Sequence, residues 1–316
     1  MNTAQPLAEQ LELLKEAKIS DVLGDRLDPR LEASGVLAKD GAFYVIFDNL
    51  PDIACIDDGL SGGQQDRFIE QNRGHRRGFE DIAYDRWTDR FYVLIESLPR
   101  GPGRFMAKVQ EYDGSFRYLS AAWLDFPLDR PNKGLEGLTC VHRNGRSYLL
   151  GLCEGNRCEG GAKGRVSGGG RIQVFHRGPR HWEHVARIRL PKTLLFEDYS
   201  GISVDGERIT VVSQVSSALW TGRLAPSSWD ITDEGTTHAF PRDALDEIIY
   251  CTVEGVSWIA PDQVVVVSDK AKPEQGKRCR AKDQSIHIFR IPARARSRRQ
   301  QDELPSASSD PLSVKL

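Results

Sequence analysis

The chain has only two methionines, no excess of either charge, and no apolar run approaching the roughly 18 residues of a spanning helix. Lys and Arg number 43 against 45 Asp and Glu, for a formal net charge of −2. The absence of a global basic field argues against a dedicated nucleic-acid binder, and nothing points to a membrane partner. The opening stretch MNTAQPLAEQLELLKEAK has no basic n-region and no apolar h-region, so it does not read as a secretory signal. The six cysteines, Cys55, Cys140, Cys153, Cys158, Cys251 and Cys279, form no small-domain disulfide pattern. The expectation is reduced thiols and a cytoplasmic protein. No edge or rim pattern encodes an oligomeric state. What is present is a globular mixture, 39% hydrophobic and 28% charged, with 29 glycines among short apolar runs. That composition excludes wholesale disorder and favours strands joined by turns.

The short runs repeat. Ser34-Gly35-Val36 precedes FYVIFDN, Glu80-Asp81-Ile82 precedes FYVLIES, and Glu136-Gly137-Leu138 precedes YLLGLCEGN. Ser200-Gly201-Ile202 precedes ITVVSQV, and Glu254-Gly255-Val256 precedes VVVVSDK. Hairpin dipeptides such as Asp40-Gly41, Asn144-Gly145 and Asp205-Gly206 sit between the paired runs. Each unit then continues into one or two further strands, which is the sequence signature of propeller blades. The fold class expected is all-β, a five-bladed β-propeller over residues 15–293, with an irregular β-sandwich as the alternative. The last unit has three clear strands, so Lys15–Gly24 is expected to supply the missing outer strand and close the sheet edge. Residues 1–14 read as an N-terminal extension. Residues 294–316 read as a disordered, Arg-rich tail.

In a propeller, the starts of the first strands face the central channel. That places Ser34, Glu80, Glu136, Ser200 and Glu254 in one ring. Converging carboxylates need protons or a cation to neutralise them. A ring of oxygen donors suits a hard ion, Ca²⁺ foremost, with Mg²⁺ or Mn²⁺ as alternatives. The second strands run antiparallel, so their ends return beside this ring. They carry Asp48, Glu96, Glu154, Gln214 and Asp269. An ion that merely holds the blades together remains the alternative reading.

The order Ser, Glu, Glu, Ser, Glu at the unit starts resembles that of the calcium-activated nucleotidases, the soluble apyrases. The Glu-Gly-Leu/Val and Val-Ser-Asp-Lys segments are also similar to phytase-like and esterase-like bacterial propellers. The resemblance covers about residues 30–290 through short motifs and departs at Asp81, where Gly is usual. It implies a five-bladed propeller with one Ca²⁺ in the channel and hydrolysis of nucleoside phosphates.

Cations near the ring fit an anionic small-molecule substrate: His75, Arg76 and Arg77 before Glu80, Lys133 before Glu136, and Lys270 and Lys272 after Asp269. In the enzyme reading, Asp48, Glu96 or Asp269 handles the attacking water. Arg76, Arg77 and Lys270 offset developing charge, while His75, Lys133, Glu154, Gln214 and Lys272 contact substrate. The competing reading is a non-catalytic binding or scaffold propeller with a structural ion. The loop Gly155–Gly170, with Arg157, Lys163 and Arg165, reads as flexible, with an anion-binding nest as the alternative. Cys153 and Cys158 are close enough for a disulfide or a metal pair. His176, His181 and His184 read as edge residues of outer strands, and Gly59–Gly63 matches a serine-hydrolase elbow in letters only.

Overall fold

The computed structural model describes residues 10–24, 30–128, 130 and 134–293. The Arg-rich tail, the first nine residues and Lys133 lie outside the described residues. The chain is all-β. Its first unit is β2 (Ala33–Lys39), β3 (Ala42–Phe47), β4 (Ile53–Asp57) and β5 (Arg67–Ile69). The second is β6 (Phe79–Asp85), β7 (Arg90–Pro99), β8 (Phe105–Asp113) and β9 (Tyr118–Asp125). The third is β10 (Leu135–Arg143), β11 (Arg146–Cys153), β12 (Arg171–Arg177) and β13 (Trp182–Arg189). The fourth is β14 (Gly201–Asp205), β15 (Arg208–Ser213), β16 (Ala218–Arg223) and β17 (Thr236–Ala239). The last is β18 (Val253–Ala260), β19 (Gln263–Ser268) and β20 (Ser285–Arg290), with β1 (Glu12–Lys18) added at its outer edge.

Within each unit the strands pair in order and antiparallel. The second and third units join into one eight-stranded sheet through a short parallel contact between β9 and β13, Leu124 with Trp182 and Asp125 with Glu183. The tight turns follow from residues that tolerate positive φ. Asp40 and Gly41 have φ of 52° and 76°, and Asn144 and Gly145 have 50° and 73°.

Apolar alternation decides what each sheet buries. Each hydrophobic core is shared between neighbours. Ile46 and Ile53 pack with Phe79 and Phe91, Leu94 with Leu138 and Leu149, and Leu152 with Ile202 and Trp220. Val212 and Leu219 pack with Val256 and Val264, and Val265 and Val267 return to Val36 and Phe47. The first strands β2, β6, β10, β14 and β18 touch in that cyclic order, and β18 returns to β2. The architecture is therefore propeller-like, with first and last units in contact.

Side chains lace the first strands together. Ser34 Oγ donates to the Phe79 carbonyl, and Ser200 Oγ donates to that of Val253 at 3.0 Å. The main-chain N–H of Trp258 donates to Ser203 Oγ at 3.2 Å, and that of Ala38 to Ser257 Oγ at 3.1 Å. Asp81 stands where the other units have glycine. Its buried carboxylate accepts from the N–H of Ile82 at 2.8 Å and from Leu138 in the next unit at 2.7 Å.

The N-terminal closure is present but displaced. The added strand is Glu12–Lys18, and Ile19–Leu23 forms a short helix, α1, instead of continuing the expected strand Lys15–Gly24. Ile19 and Val22 are both buried, a spacing of three that a helical turn satisfies and a strand does not. Part of the expected extension 1–14 therefore belongs to the sheet.

The seam carries an acid-labile contact. His287 on β20 is fully buried, and its Nδ1 lies 3.2 Å from Glu16 Oε2 on β1. Lys282 Nζ donates to Glu16 Oε1 at 2.5 Å. The His287 hydrogen bond, with Lys282, holds Glu16 down at about 2 against an ordinary 4.5, while burial pushes His287 below its usual 6.5. Both groups favour the folded state above their unfolded values. The His287 contribution fades as pH falls below 6.5, and that of Glu16 fades from about 4.5 towards 2. With screening of the part-exposed Glu16 allowed for, its share is on the order of 1–2 kcal/mol. Glu16→Gln is expected to lower the melting temperature at pH 7 and to flatten its fall between pH 5 and 3. Thermal unfolding across that range checks both.

Candidate functional site

One end of the ring of first strands gathers the acids, and main-chain pairing explains how. The N–H groups of Asp48, Glu96, Glu154 and Asp269 donate to the carbonyls of Glu32, Gly78, Gly134 and Thr252 at 2.8, 2.9, 3.0 and 2.8 Å. Each second-strand end is thus pinned beside the residue two before Ser34, Glu80, Glu136 or Glu254. At those four positions the ladder slips. Register shifts fall between Ala33 and Gly35, Phe79 and Ile82, Leu135 and Gly137, and Val253 and Val256. A bulge re-aims its side chain away from regular strand alternation. The fourth unit has no such shift at Ser200, whose N–H donates to the Val212 carbonyl at 2.9 Å.

The charges crowd. Burial, followed by the negative charges of Glu254, Asp48 and Glu96, pushes Glu80 up to about 8, although a hydrogen bond with Glu136 pulls the other way. That bond requires a proton between the two carboxyls. Burial, with Asp269 and Glu136, holds Glu254 well above the carboxylate range, and Gln214 Nε2 donates to its Oε1 at 2.9 Å. Burial raises Asp269 to about 7, against the pull of the Lys270 main-chain N–H, with Glu32 and Asp48 adding to the rise. Burial also raises Asp48 and Glu96, and the Arg77 guanidinium opposes the rise in both. Gly78 leaves the space Glu96 needs, because a Cβ there would lie 2.9 Å from Glu96 Oε1.

Two acids of this cluster are absent from the sequence reading. Glu32 acts on Asp269, and Asp198 feels Glu154 while accepting from Ser213 Oγ at 2.5 Å and from the Val215 N–H at 3.2 Å. Each stands two residues before one of the ring serines, Ser34 and Ser200. In these two units the carboxylate is moved to just before the first strand. The pattern Glu-Ala-Ser and Asp-Tyr-Ser carries that signal. The ring serines themselves latch neighbouring units through their hydroxyl protons and keep only oxygen lone pairs for the channel.

The expected cations divide. Arg77 acts on Asp48 and Glu96, and Lys272 on Asp269. Lys270 meets the site through its main-chain N–H, which donates to its neighbour Asp269 Oδ1 at 2.5 Å. The main-chain N–H of His75 donates to Gln110 Oε1 of the second unit, and burial, with Lys108, lowers its imidazole. Arg76 is exposed, and no contact ties it to the acids among the described residues.

Among the described residues, no three His, Cys, Asp or Glu side chains stand together in ligand geometry. The ring side chains at this end are nevertheless all oxygen donors, and burial with mutual repulsion disfavours the charged forms of Glu80, Glu254 and Asp269, a burden that a hard cation would relieve. By donor chemistry, Ca²⁺ fits this set and a nitrogen- or sulfur-seeking metal does not.

Two disulfides brace the same end, correcting the expectation of reduced thiols. Cys153 bonds Cys158, directly beside Glu154, and Cys251 bonds Cys279 in a second short helix, α2 (Lys277–Lys282). The cytoplasmic placement rested on reduced thiols and loses that support. Cys55 and Cys140 remain free. The Cys251–Cys279 link spans 28 residues, and by loop-closure entropy its removal costs about 3–4 kcal/mol. Cys251→Ser with Cys279→Ser is expected to lower the denaturant midpoint correspondingly, and added reductant is expected to shift wild type by more than the variant, which retains only the short Cys153–Cys158 bond.

The glycine-rich loop is also held, contrary to its flexible reading. The amide nitrogen of the buried Asn156 side chain donates to the carbonyls of Gly164 and Phe196 at 2.9 and 3.0 Å. Its oxygen accepts from the Gly169 N–H at 2.9 Å and from the Tyr199 hydroxyl at 3.2 Å.

No family model matches this chain, and no curated protein matches it either. Solved structures do. A Myxococcus xanthus glutaminyl cyclase superposes with a TM-score of 0.51 at 11% identity, covering 90% of this chain and 98% of that one. A PQQ-bound aldose sugar dehydrogenase from Streptomyces coelicolor gives 0.48 at 10% identity, over 90% and 99% of the two chains. A GH43_1 enzyme from Xanthomonas citri in complex with xylotriose gives 0.47 at 10% identity, over 86% and 91%. At such identities the likeness concerns the fold, and the nucleotidase resemblance stays with the sequence motifs. A cavity of about 540 Å³ opens at the opposite end, lined by Tyr84, Trp87, His142 and Trp258 among others. It does not reach the acids, so the chemistry and the roomy cavity lie at different ends.

Proposed function

We propose that the five units are the blades of a five-bladed propeller and that its acidic end is the active site of a hydrolase. The enzyme would depend on a hard divalent cation, Ca²⁺ foremost, and act on a phosphorylated or otherwise anionic small molecule. The observation that carries this reading is the crowding of Glu80, Glu136, Glu254 and Asp269, where burial and neighbouring negative charge push Glu80, Glu254 and Asp269 above the usual carboxylate range. Carboxyls gathered in this way are short of positive charge.

Glu80, Glu136 and Glu254 would hold the cation, with Ser34 and Ser200 lining the same ring. When bound, the cation neutralises these carboxylates and polarises an oxygen of the substrate. Asp48, Glu96 and Asp269 orient the attacking water and accept its proton. Arg77 and Lys272, the cations that act on those acids, offset charge on the leaving group, with Arg76 and Lys270 on the same loops. Glu154 and Gln214 would contact substrate, Gln214 from its place beside Glu254. His75, whose imidazole is influenced by Lys108 and by none of the acids, contributes least.

Initial rates of phosphate release from a panel of nucleotides and sugar phosphates test this reading. Arg77→Gln is expected to lower kcat/KM about 10- to 100-fold at an unchanged melting temperature. A protein stabilised by Ca²⁺ but inert on the whole panel would instead be a binding module with a structural ion.

A further inference from the structure

Four arginines gather on the third unit without carboxylate partners. The antiparallel pairing of β12 with β13 sets Arg171 directly opposite Arg189, and Gln173 opposite Arg187. Opposed side chains in such a pair stand about 4.5–5.5 Å apart at Cβ. Arg157 is brought beside them by the folded glycine-rich loop. Its N–H donates to the Gly169 carbonyl at 2.7 Å, and a Cβ on Gly169 would lie 3.0 Å from Arg157 Cγ. Its stem therefore runs along the segment that leads into Arg171.

Arg157 also has a left-handed backbone, with φ of 59°, followed by Cys158 at 61°. Neither residue type favours that region, and the Cys153–Cys158 bond and the Asn156 contacts fix it. Burial, and then the charges of Arg189, Arg187 and Arg157, depress the Arg171 guanidinium below its ordinary value. Among the described residues, no Asp or Glu pairs with any of the four. Arg171 Nη1 donates to the Gly170 carbonyl at 2.7 Å, and Arg157, Arg187 and Arg189 are exposed. Like charges directly opposite each other destabilise a sheet. This unit nevertheless adds a third and a fourth guanidinium to such a pair.

We propose that Arg157, Arg171, Arg187 and Arg189 form a binding site for a multiply charged oxyanion, a phosphate- or sulfate-bearing group, on the outer strands of the third unit and distinct from the ring of acids. Guanidinium forks match the paired oxygens of such groups, and several forks around one anion turn mutual repulsion into shared attraction. The site does not depend on the hydrolase reading and needs no metal.

The test is titration calorimetry on the EDTA-treated full chain, with inorganic pyrophosphate as probe at low and at 150 mM salt. EDTA removes any cation-bridged binding at the acids. One pyrophosphate is expected to bind per chain, more weakly as salt rises. Arg187→Gln with Arg189→Gln is expected to lower affinity at least tenfold. The melting temperature of this variant without ligand should hold or rise, because both side chains are exposed and repelled. Arg180→Gln, on the exposed β12–β13 turn, serves as control and should change nothing. Parallel titrations with a nucleoside triphosphate and a sulfated oligosaccharide separate the two sources of the anion, and the tighter one names it. Equal pyrophosphate affinity in wild type and double variant, or no binding to wild type at low salt, overturns the proposal.

Discussion

Gly255→Ala is expected to destabilise the protein by about 3 kcal/mol or more, among the largest single-residue effects on stability. A Cβ at Gly255 would lie 2.6 Å from the Val36 nitrogen and 2.7 Å from Gly35 Cα. Both are main-chain atoms of the first unit, so no rotamer change relieves the clash. Relief requires β18 to move away from β2, and that contact closes the cycle of first strands. Gly276→Ala is the control. Its added Cβ would meet nothing within 4 Å, and its φ of −69° suits alanine. It should change stability by less than about 0.5 kcal/mol. Denaturant midpoints of the two variants measure the difference, and comparable midpoints would mean that the closure carries little of the stability.

Glu80→Gln and Asp81→Ala are adjacent substitutions with opposite expected signs. Glu80 stands among like charges, and burial already pushes it up to about 8. Its neutral isostere should stabilise the metal-free protein by about 1–3 kcal/mol, because an acid buried among like charges is a net burden and the amide can keep a hydrogen bond to Glu136. The same change should lower turnover by about 10²–10⁴-fold, as expected for loss of a group that holds the charge-compensating centre of a site. Stability given up at a site of this kind is the usual sign of function. Asp81 faces the other way. Its carboxylate satisfies the N–H groups of Ile82 and Leu138, so Asp81→Ala leaves two buried donors unmet. The loss should be about 1–3 kcal/mol per donor, with kcat unaffected in the folded fraction. Thermal unfolding in EDTA, paired with initial rates, reads both variants.

Much of the fold is legible in the sequence because its signals are local. The Gly-β-branched starts, the Asp-Gly and Asn-Gly turns and the apolar runs each act over a few residues, and their recurrence supplies the cyclic order. The acids at the ends of the second strands are legible for the same reason, since a hairpin returns its end to its start. The remaining features depend on contacts between distant segments. Glu32 and Asp198 escape because the carboxylate stands two residues before the ring position in the serine units. Cys251 and Cys279 are 28 residues apart, and only the tertiary fold brings them together. The closing strand starts earlier than expected because β1 pairs along the whole of β20, down to Glu12 with Arg290, a partner 278 residues away. Asn156 appears in sequence as one polar residue in a glycine-rich loop, yet it organises the loop and so positions Arg157. Arg77 and His75 are two residues apart and look interchangeable. The N–H of His75 is captured by Gln110 in the second unit, and Arg77 is left with the acids.

The proposed binding of a hard cation at the acidic end is tested most directly by calorimetric titration of Ca²⁺, Mg²⁺ and Mn²⁺ into EDTA-treated protein, repeated on Glu136→Gln with Glu254→Gln. One Ca²⁺ should bind per chain and raise the melting temperature by about 5 °C or more at a hundredfold excess over Kd. The double variant should lose both effects while folding normally in EDTA. Absence of binding and of any thermal shift with all three ions, or a shift that survives in the double variant, would contradict the assignment of the ring.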